Sequence, residues 1–297
     1  VRTEYTVVRL AENDYYLVSA GAWAAYDGDY LQKAIEDHMA AGGAFVMAHE
    51  VTTQWGVFAV AGPRSREVLN GLVVDADPAT RLSNRRFPWL SMRNIELGMV
   101  PVMAIRVAYT GELGWELHHP IEMQNHLFDR LMEAGEGHGL KLVGARAQNW
   151  LRQEKSYRAF GHELGRDATP LEAGLDRFVD LDKDFTGKAA MQETGVRVQC
   201  VTCLIDGPED ADPWGREALY FGDTRTGRLT SGGWSAAFGK SIGMGYVRPE
   251  HAVPGTTLKV KMQDRLWDVV VTEDSPYDPQ NLRLRADIPS VSAQAAE

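Results

Sequence analysis

Apolar and polar positions alternate along Tyr5–Leu10 and again along Tyr15–Val18, with the turn residues Glu12-Asn13-Asp14 between them, so the chain opens on a predicted β-hairpin. The period then changes: Asp29–Met39 carries apolar residues at helical spacing. Past the loop Ala41-Gly42-Gly43, two short apolar runs, Ala44–Ala48 and Gly56–Val60, predict strands flanking a polar turn. Gly62-Pro63 announces a helix in RSREVLNGLV, because the fixed φ and missing N–H of proline both suit a first helical turn. Val100–Tyr109 predicts another strand and Trp115–His119 an extended continuation. Ile121–Ala134 and Val143–Lys155 predict two helices, the second rich in polar side chains.

From Val196 the texture is different. VQCVTCLI, EALYFG, GRLTSGGWS, SIGMGYV, TLKVKM and LWDVVVTED are short strand-like runs separated by turn signals, the pattern of a small all-β barrel or sandwich of about 90 residues. The expected organisation is therefore α+β: a mixed domain over 1–194, a boundary near Thr194-Gly195, a β-barrel domain over 195–288, and a tail over 289–297 with little to pack.

Composition narrows the function classes. The chain has 297 residues, 44% hydrophobic and 24% charged, an ordinary globular balance. Lys and Arg number 31 against 41 Asp and Glu, so the net charge is −10, a field that repels phosphate backbones and anionic lipid. Neither nucleic acid nor a membrane is an expected partner, since no run approaches the roughly 18 apolar residues of a membrane span. The strand-like opening at Val1 reads as the continuation of an upstream segment.

Three features invite chemistry and yield to plainer readings. Cys200 and Cys203 have a metal-like spacing, but no further pair of ligands lies nearby, and strand positions three apart face opposite ways. His118-His119 has the same geometry and no carboxylate cluster at ligand spacing, so no metal site is expected. The Gly-rich EAGEGHGLKLVG follows a helix rather than a strand and lacks the dinucleotide spacing. By contrast, two glycines and several polar residues interrupt a buried strand pattern in YTGELGWEL (109–117), a sign of close approach by a ligand or another backbone. A second polar cluster, LRQEKSYRAFGHEL, gathers Arg152, Glu154, Lys155, Arg158 and His162 at a helix end.

YTGELGWEL, LRQEKSYRAFGHEL, DATPLEAGL, DFTGKAAM and SGGWSAAFGKSIGMGYV occur in an order that resembles the folate-binding aminomethyltransferase family, the T-protein of the glycine cleavage system. The wording is most similar to the folate domain fused behind a flavin domain in dimethylglycine and sarcosine dehydrogenases and oxidases, and the VTEDSPYDPQNLRLRAD stretch fits that branch. The resemblance implies a T-protein-like ring with a central tetrahydrofolate pocket, its opening segment and any flavin domain lying upstream of Val1, and FAD belonging only to that other domain or subunit. Glu4 stands where the family has an Asp near folate N10; it keeps the carboxylate and reaches one methylene further. Tyr109 matches a tyrosine close to the one-carbon transfer site. Glu116 matches the glutamate that pairs with the pterin ring, and a carboxylate can accept from N3–H and the 2-amino group together. Arg152 matches an arginine on the pocket helix, a partner for a folate carboxylate. Trp115, Phe178 and Trp234 are candidates for ring or benzoyl packing.

The implied activity is one-carbon transfer: carbon released by oxidative N-demethylation of a methylated amine is captured as 5,10-methylenetetrahydrofolate. Two alternatives stay open. One is direct methyl transfer to folate, as in dimethylsulfoniopropionate demethylase relatives. The other is a folate-binding scaffold without turnover; the relatives that support iron-sulfur proteins carry a cysteine where this chain has Asp182–Lys188. An acidic, cysteine-poor chain fits bacterial cytoplasm or mitochondrial matrix.

Overall fold

The computed structural model describes residues 1–75, 81–208 and 212–287. They form two compact units that follow packing rather than chain order. A sheet unit contains Thr3–Ala108, Glu112–Lys141 and the chain from Leu284; a barrel unit contains Val1–Arg2, Tyr109–Gly111 and Leu142–Arg283. The tail expected to be mobile lies outside the described residues.

In the sheet unit, β1 (Thr6–Ala11) and β2 (Asp14–Val18) make the expected hairpin, with Thr6 opposite Val18 and Val8 opposite Tyr16. Helix α1 spans Ala24–Ala40, one turn and more ahead of the periodic stretch, because Ala24, Ala25 and Asp27 extend it without adding large apolar residues. A four-stranded antiparallel sheet follows, in the order β3-β6-β5-β4. Its strands are β3 (Trp55–Ala61), β4 (Met92–Leu97), β5 (Val100–Ile105) and β6 (Gly114–Pro120). Helices α2 (Ser65–Asn70) and α3 (Gln124–Gly135) supply Leu69, Leu127 and Leu131 to one core with Val60, Leu97, Val100, Val102, Leu113, Trp115 and Leu117. Leu127 and Leu131 stand four apart on α3 and so share its buried face.

Several expectations shift. Ala44–Ala48 forms no strand: Phe45 and Met47 are largely exposed, and no strand among the described residues pairs with it. Pro63 lies ahead of the Arg64 N-cap of α2, in a turn closed by Ser65 N–H donating to Gly62 O at 3.1 Å, rather than in the first helical turn. Strand β5 stops at Ile105, four residues short of Tyr109; the next residue, Arg106, is buried and donates to Phe87 O at 2.6 Å. Strand β4 escaped the sequence reading because it joins β5 through Gly98-Met99, both at positive φ (56° and 71°), and methionine carries no turn signature.

In the barrel unit, helices α4 (Ala145–Glu154) and α5 (Lys188–Thr194) precede six strands: β7 (Gln199–Asp206), β8 (Ala218–Phe221), β9 (Thr224–Ser235), β10 (Lys240–Val247), β11 (Thr257–Met262) and β12 (Arg265–Val271). They close as β10-β7-β12-β11-β8-β9, so the barrel, not the sandwich, is formed. Alternate residues Val201, Cys203 and Ile205 of β7 join Leu229, Leu258, Val260, Val269 and Val271 in the interior. Cys200 faces the other way, against Met244 and Tyr246. Both thiols are free and buried, and burial pushes each up to about 12. Closure needs Gly227, where a Cβ would fall 1.8 Å from Tyr246 O. Among the described residues no helix is long and apolar enough to cross a membrane.

Candidate functional site

Glu4 is placed by its neighbours. Thr3 Oγ1 donates to Asp27 Oδ1 at 2.5 Å, and the Tyr5 hydroxyl donates to Asp27 O at 2.9 Å, so both side chains turn toward α1 and the buried Asp27. The intervening Glu4 side chain is exposed. Burial, with Asp27 adding its charge, raises the Tyr5 phenol and keeps it a donor. Glu4 itself precedes β1, which begins at Thr6.

Strand β6 sorts YTGELGWEL by face. Trp115 and Leu117 point into the core, while Glu116 and His118 share the opposite face. Trp115 is fully packed, edge-on to Phe87 at 6.2 Å, with the Arg66 and Arg106 guanidinium carbons 5.7 and 5.6 Å from its ring centre. Its surface is spent on the core and its two cations, not offered to a ligand ring. Burial, and then the neighbouring Arg66, lowers the Arg106 guanidinium to about 10.

The Glu116 side chain is 32% exposed, and its Oε2 lies 3.4 Å from Nε2 of the fully buried His118. The Tyr16 hydroxyl lies 3.1 Å from Nδ1 of that imidazole, and the two rings meet edge to face at 5.4 Å. Burial, reinforced by the Glu116 charge, raises the Tyr16 phenol. His119 points the other way, stacked on Phe58 at 4.9 Å with Nδ1 2.9 Å from Leu117 O, so the adjacent histidines share no ligand. Among the described residues no group of three metal-binding side chains occurs.

In the barrel unit, the Tyr109 hydroxyl donates to Arg158 O at 3.1 Å and its ring stacks on Tyr157, 6.0 Å away at 22°. It remains 38% exposed. Phe178 is 71% exposed under the Arg177 guanidinium, and Trp234 is half-buried on β9.

Arg152 sits elsewhere than its expected role requires. It is 1% exposed, and its guanidinium donates to Glu163 Oε2 at 2.8 Å, Tyr157 O at 2.7 Å, Asn149 Oδ1 at 2.9 Å and Ser231 Oγ at 2.7 Å. Glu163 also accepts from Thr230 and Ser231 at 2.7 and 2.5 Å. Burial pushes the Glu163 carboxyl up, but Arg152, these hydroxyls and the Ala159 N–H outweigh it and hold it below the usual range. The cation of Arg152 is neutralised inside the unit. The rest of LRQEKSYR is likewise inward. Glu154 accepts from Ser235 at 2.5 Å, Lys155 donates to Asp278 O at 2.7 Å, and Ser156 meets Thr202 at 2.6 Å. This polar cluster ties α4 to β7, β9 and the 277–281 stretch.

The sheet unit thus holds Glu4, Trp115 and Glu116, and the barrel unit holds Tyr109, Arg152, Phe178 and Trp234. The Tyr16–His118–Glu116 row went unread in the sequence, where His118 was considered only beside His119 as a metal pair. His118 was legible in principle, two places along the strand from Glu116. Tyr16 was not, because 102 residues separate it from its imidazole partner.

Residues 1–183 match the GCVT N-terminal domain, and residues 199–278 match the glycine cleavage T-protein C-terminal barrel domain. Mitochondrial dimethylglycine dehydrogenase of Rattus norvegicus is 34% identical over 294 residues, covering 97% of this chain and 33% of that protein. The aminomethyltransferase of Natranaerobius thermophilus is 28% identical over 267 residues, covering 88% of this chain and 69% of that one. The chain spans about a third of the length of the dimethylglycine dehydrogenases it matches. The crystal structure of glycine cleavage system aminomethyltransferase T from Bartonella henselae has the same fold, with a TM-score of 0.77 and 24% identity over 94% of this chain and 73% of that one. With a mixed sheet unit, a closed six-stranded barrel and both halves of the sequence matched in order, the chain belongs to the GCVT aminomethyltransferase family.

Proposed function

We propose that this chain binds tetrahydrofolate and captures on it the carbon released by oxidative demethylation of a methylated amine such as dimethylglycine or sarcosine. The observation that carries this reading is the 34% identity to dimethylglycine dehydrogenase across 97% of the chain. Oxidation of the N-methyl group belongs to a flavin domain or subunit outside this sequence, which is the proposed partner. When bound, tetrahydrofolate supplies the nucleophilic nitrogens that take up the carbon as the 5,10-methylene derivative.

The residues fit such a ligand at Glu116. A pterin edge presents two donors side by side, and an ionised carboxylate accepts through both oxygens. Glu116 is such a group, anchored on a sheet strand and still a third exposed. Glu4 in the sheet unit, an exposed carboxylate between two anchored neighbours, and Tyr109 in the barrel unit, a part-exposed phenol, are each by itself a proposed proton-handling group. Phe178 and Trp234 remain candidates for aromatic packing. Arg152 and Trp115 are left out, since their polar and apolar surfaces are already committed.

The test is anaerobic calorimetric titration of tetrahydrofolate into the chain and into Glu116→Gln. Micromolar binding that falls at least tenfold in the variant is the expected result, since a charge-assisted pair becomes a mismatched amide. Absence of binding by the unaltered chain refutes the reading. Product analysis with a flavin dehydrogenase partner and its methylated amine then distinguishes 5,10-methylene from 5-methyl folate; the latter means direct methyl transfer.

A further inference from the structure

His118 is a buried imidazole with an assignment problem. Its Nδ1 faces the Tyr16 hydroxyl at 3.1 Å, and its Nε2 faces Glu116 Oε2 at 3.4 Å without a hydrogen bond of good geometry among the described residues. An ionised carboxylate only accepts, so the nitrogen facing it must carry the proton, and Nδ1 must then accept from the phenol. Tyr16 meets that requirement: its phenol is raised by burial and by the Glu116 charge, and so stays a donor. Tyr16 O–H, His118 and Glu116 therefore form a row of donors pointing toward one partly exposed carboxylate.

We propose that His118, with its tautomer set by Tyr16, is a positioning residue that holds the Glu116 carboxylate for a planar ligand edge carrying two adjacent N–H donors. This deepens, and rests on, the reading of Glu116 as the pterin-binding group. Each carboxylate oxygen has two acceptor sites, so Oε2 can accept from His118 and from the ligand together. The 3.4 Å approach is long for a hydrogen bond, and a ligand that orders the carboxylate would draw it shorter, as hydrogen bonds at binding sites commonly tighten on complex formation. A buried Nε2–H with no other acceptor among the described residues gains by that movement. The same row stabilises the free protein little, because its last contact is incompletely made.

The experiment is anaerobic calorimetry of tetrahydrofolate on the full chain with His118→Leu, His118→Gln, Tyr16→Phe and each of these in the Glu116→Gln background. The amide of His118→Gln restores a donor near the Nε2 position, and Tyr16→Phe removes only the hydroxyl while keeping the edge-to-face ring contact. Leu at 118 is expected to weaken binding about tenfold, Gln to recover to within about threefold, and Phe at 16 to weaken it about threefold, all effects vanishing in the Glu116→Gln background. Should His118→Leu fail to fold, Tyr16→Phe and His118→Gln carry the comparison. Affinity that falls in Glu116→Gln but is unmoved by Tyr16→Phe and equal in the Leu and Gln variants overturns the positioning role alone. Equal losses with and without Glu116 also overturn it, since a merely structural effect does not depend on the carboxylate. An unaltered chain that binds no tetrahydrofolate overturns the pterin reading and this proposal with it.

Discussion

Replacing Arg152 by Met removes the cation paired with Glu163, whose side chain is fully buried, together with four donated hydrogen bonds and a contact to Met244 Sδ at 3.8 Å. Breaking a buried pair from one side costs about 3–5 kcal/mol, because the remaining charge is left without compensation. The loss should therefore exceed what the missing apolar contacts explain, and it should be suppressible. In Arg152→Met with Glu163→Gln neither charge of the pair remains, and Thr230 and Ser231 can still donate to the amide oxygen. More than half of the lost stability is expected to return. The pH dependence supplies a second check. With Arg152 present the folded Glu163 lies below its ordinary value, so its contribution is complete above the unfolded value and fades as pH falls through the folded one. Without Arg152, burial dominates and the folded value rises above the unfolded one, so the deficit is largest at neutral pH and shrinks as acid protonates the carboxyl. Urea unfolding at pH 7 and pH 5 measures all of this. A loss below about 1 kcal/mol that Glu163→Gln does not suppress refutes the buried-pair argument. Unchanged stability with weakened folate binding would return Arg152 to the ligand site.

Other outcomes follow from the same packing. Glu172 accepts from the Thr169 N–H at 2.8 Å while its own N–H donates to Thr169 Oγ1 at 3.1 Å, and Arg197 bonds both carboxylate oxygens. Burial raises this carboxyl, but those donors hold it at about 2. Wild type should lose stability as pH falls from about 4.5 to about 2, and Glu172→Gln should lose less over that window and be about 1–2 kcal/mol less stable above it, by denaturant titration at each pH. Equal slopes for the two proteins would contradict this. Cys200 and Cys203, at about 12, should resist a chromogenic disulfide reagent at pH 8 until the protein unfolds; labelling faster than global unfolding would show the thiols to be reached another way. Asp27→Ala removes the acceptor of the Thr3 hydroxyl and should raise amide exchange over residues 3–6 while leaving the barrel strands unchanged. Exchange at the wild-type rate would mean that Glu4 is placed by something else.

All six barrel strands were legible in the chain, because each carries its own alternation and its own turn residues, and closure follows from pairing their edges. The hairpin β1–β2, helix α3 and the two faces of β6 were legible for the same local reason. Four expectations departed from the structure. Ala44–Ala48 has the composition of a strand and no partner; β4 has its partner but a turn without turn residues; α1 begins on alanines that carry no period; and α5 is a short helix in polar sequence. Among the candidate site residues, the alternation that sets Trp115 on the core face opposite Glu116 was present in the strand, although Trp115 was expected at the ligand. Periodicity could not tell that Arg152 spends its charge on Glu163, eleven residues on, and one donor on Ser231 of a barrel strand, nor that Tyr16 meets His118. Local periods are written in neighbouring residues, and so the fold class and the family were readable from the chain. Whether a charged side chain is neutralised within the protein or presented to a ligand depends on partners distant in sequence, and only the folded structure names them.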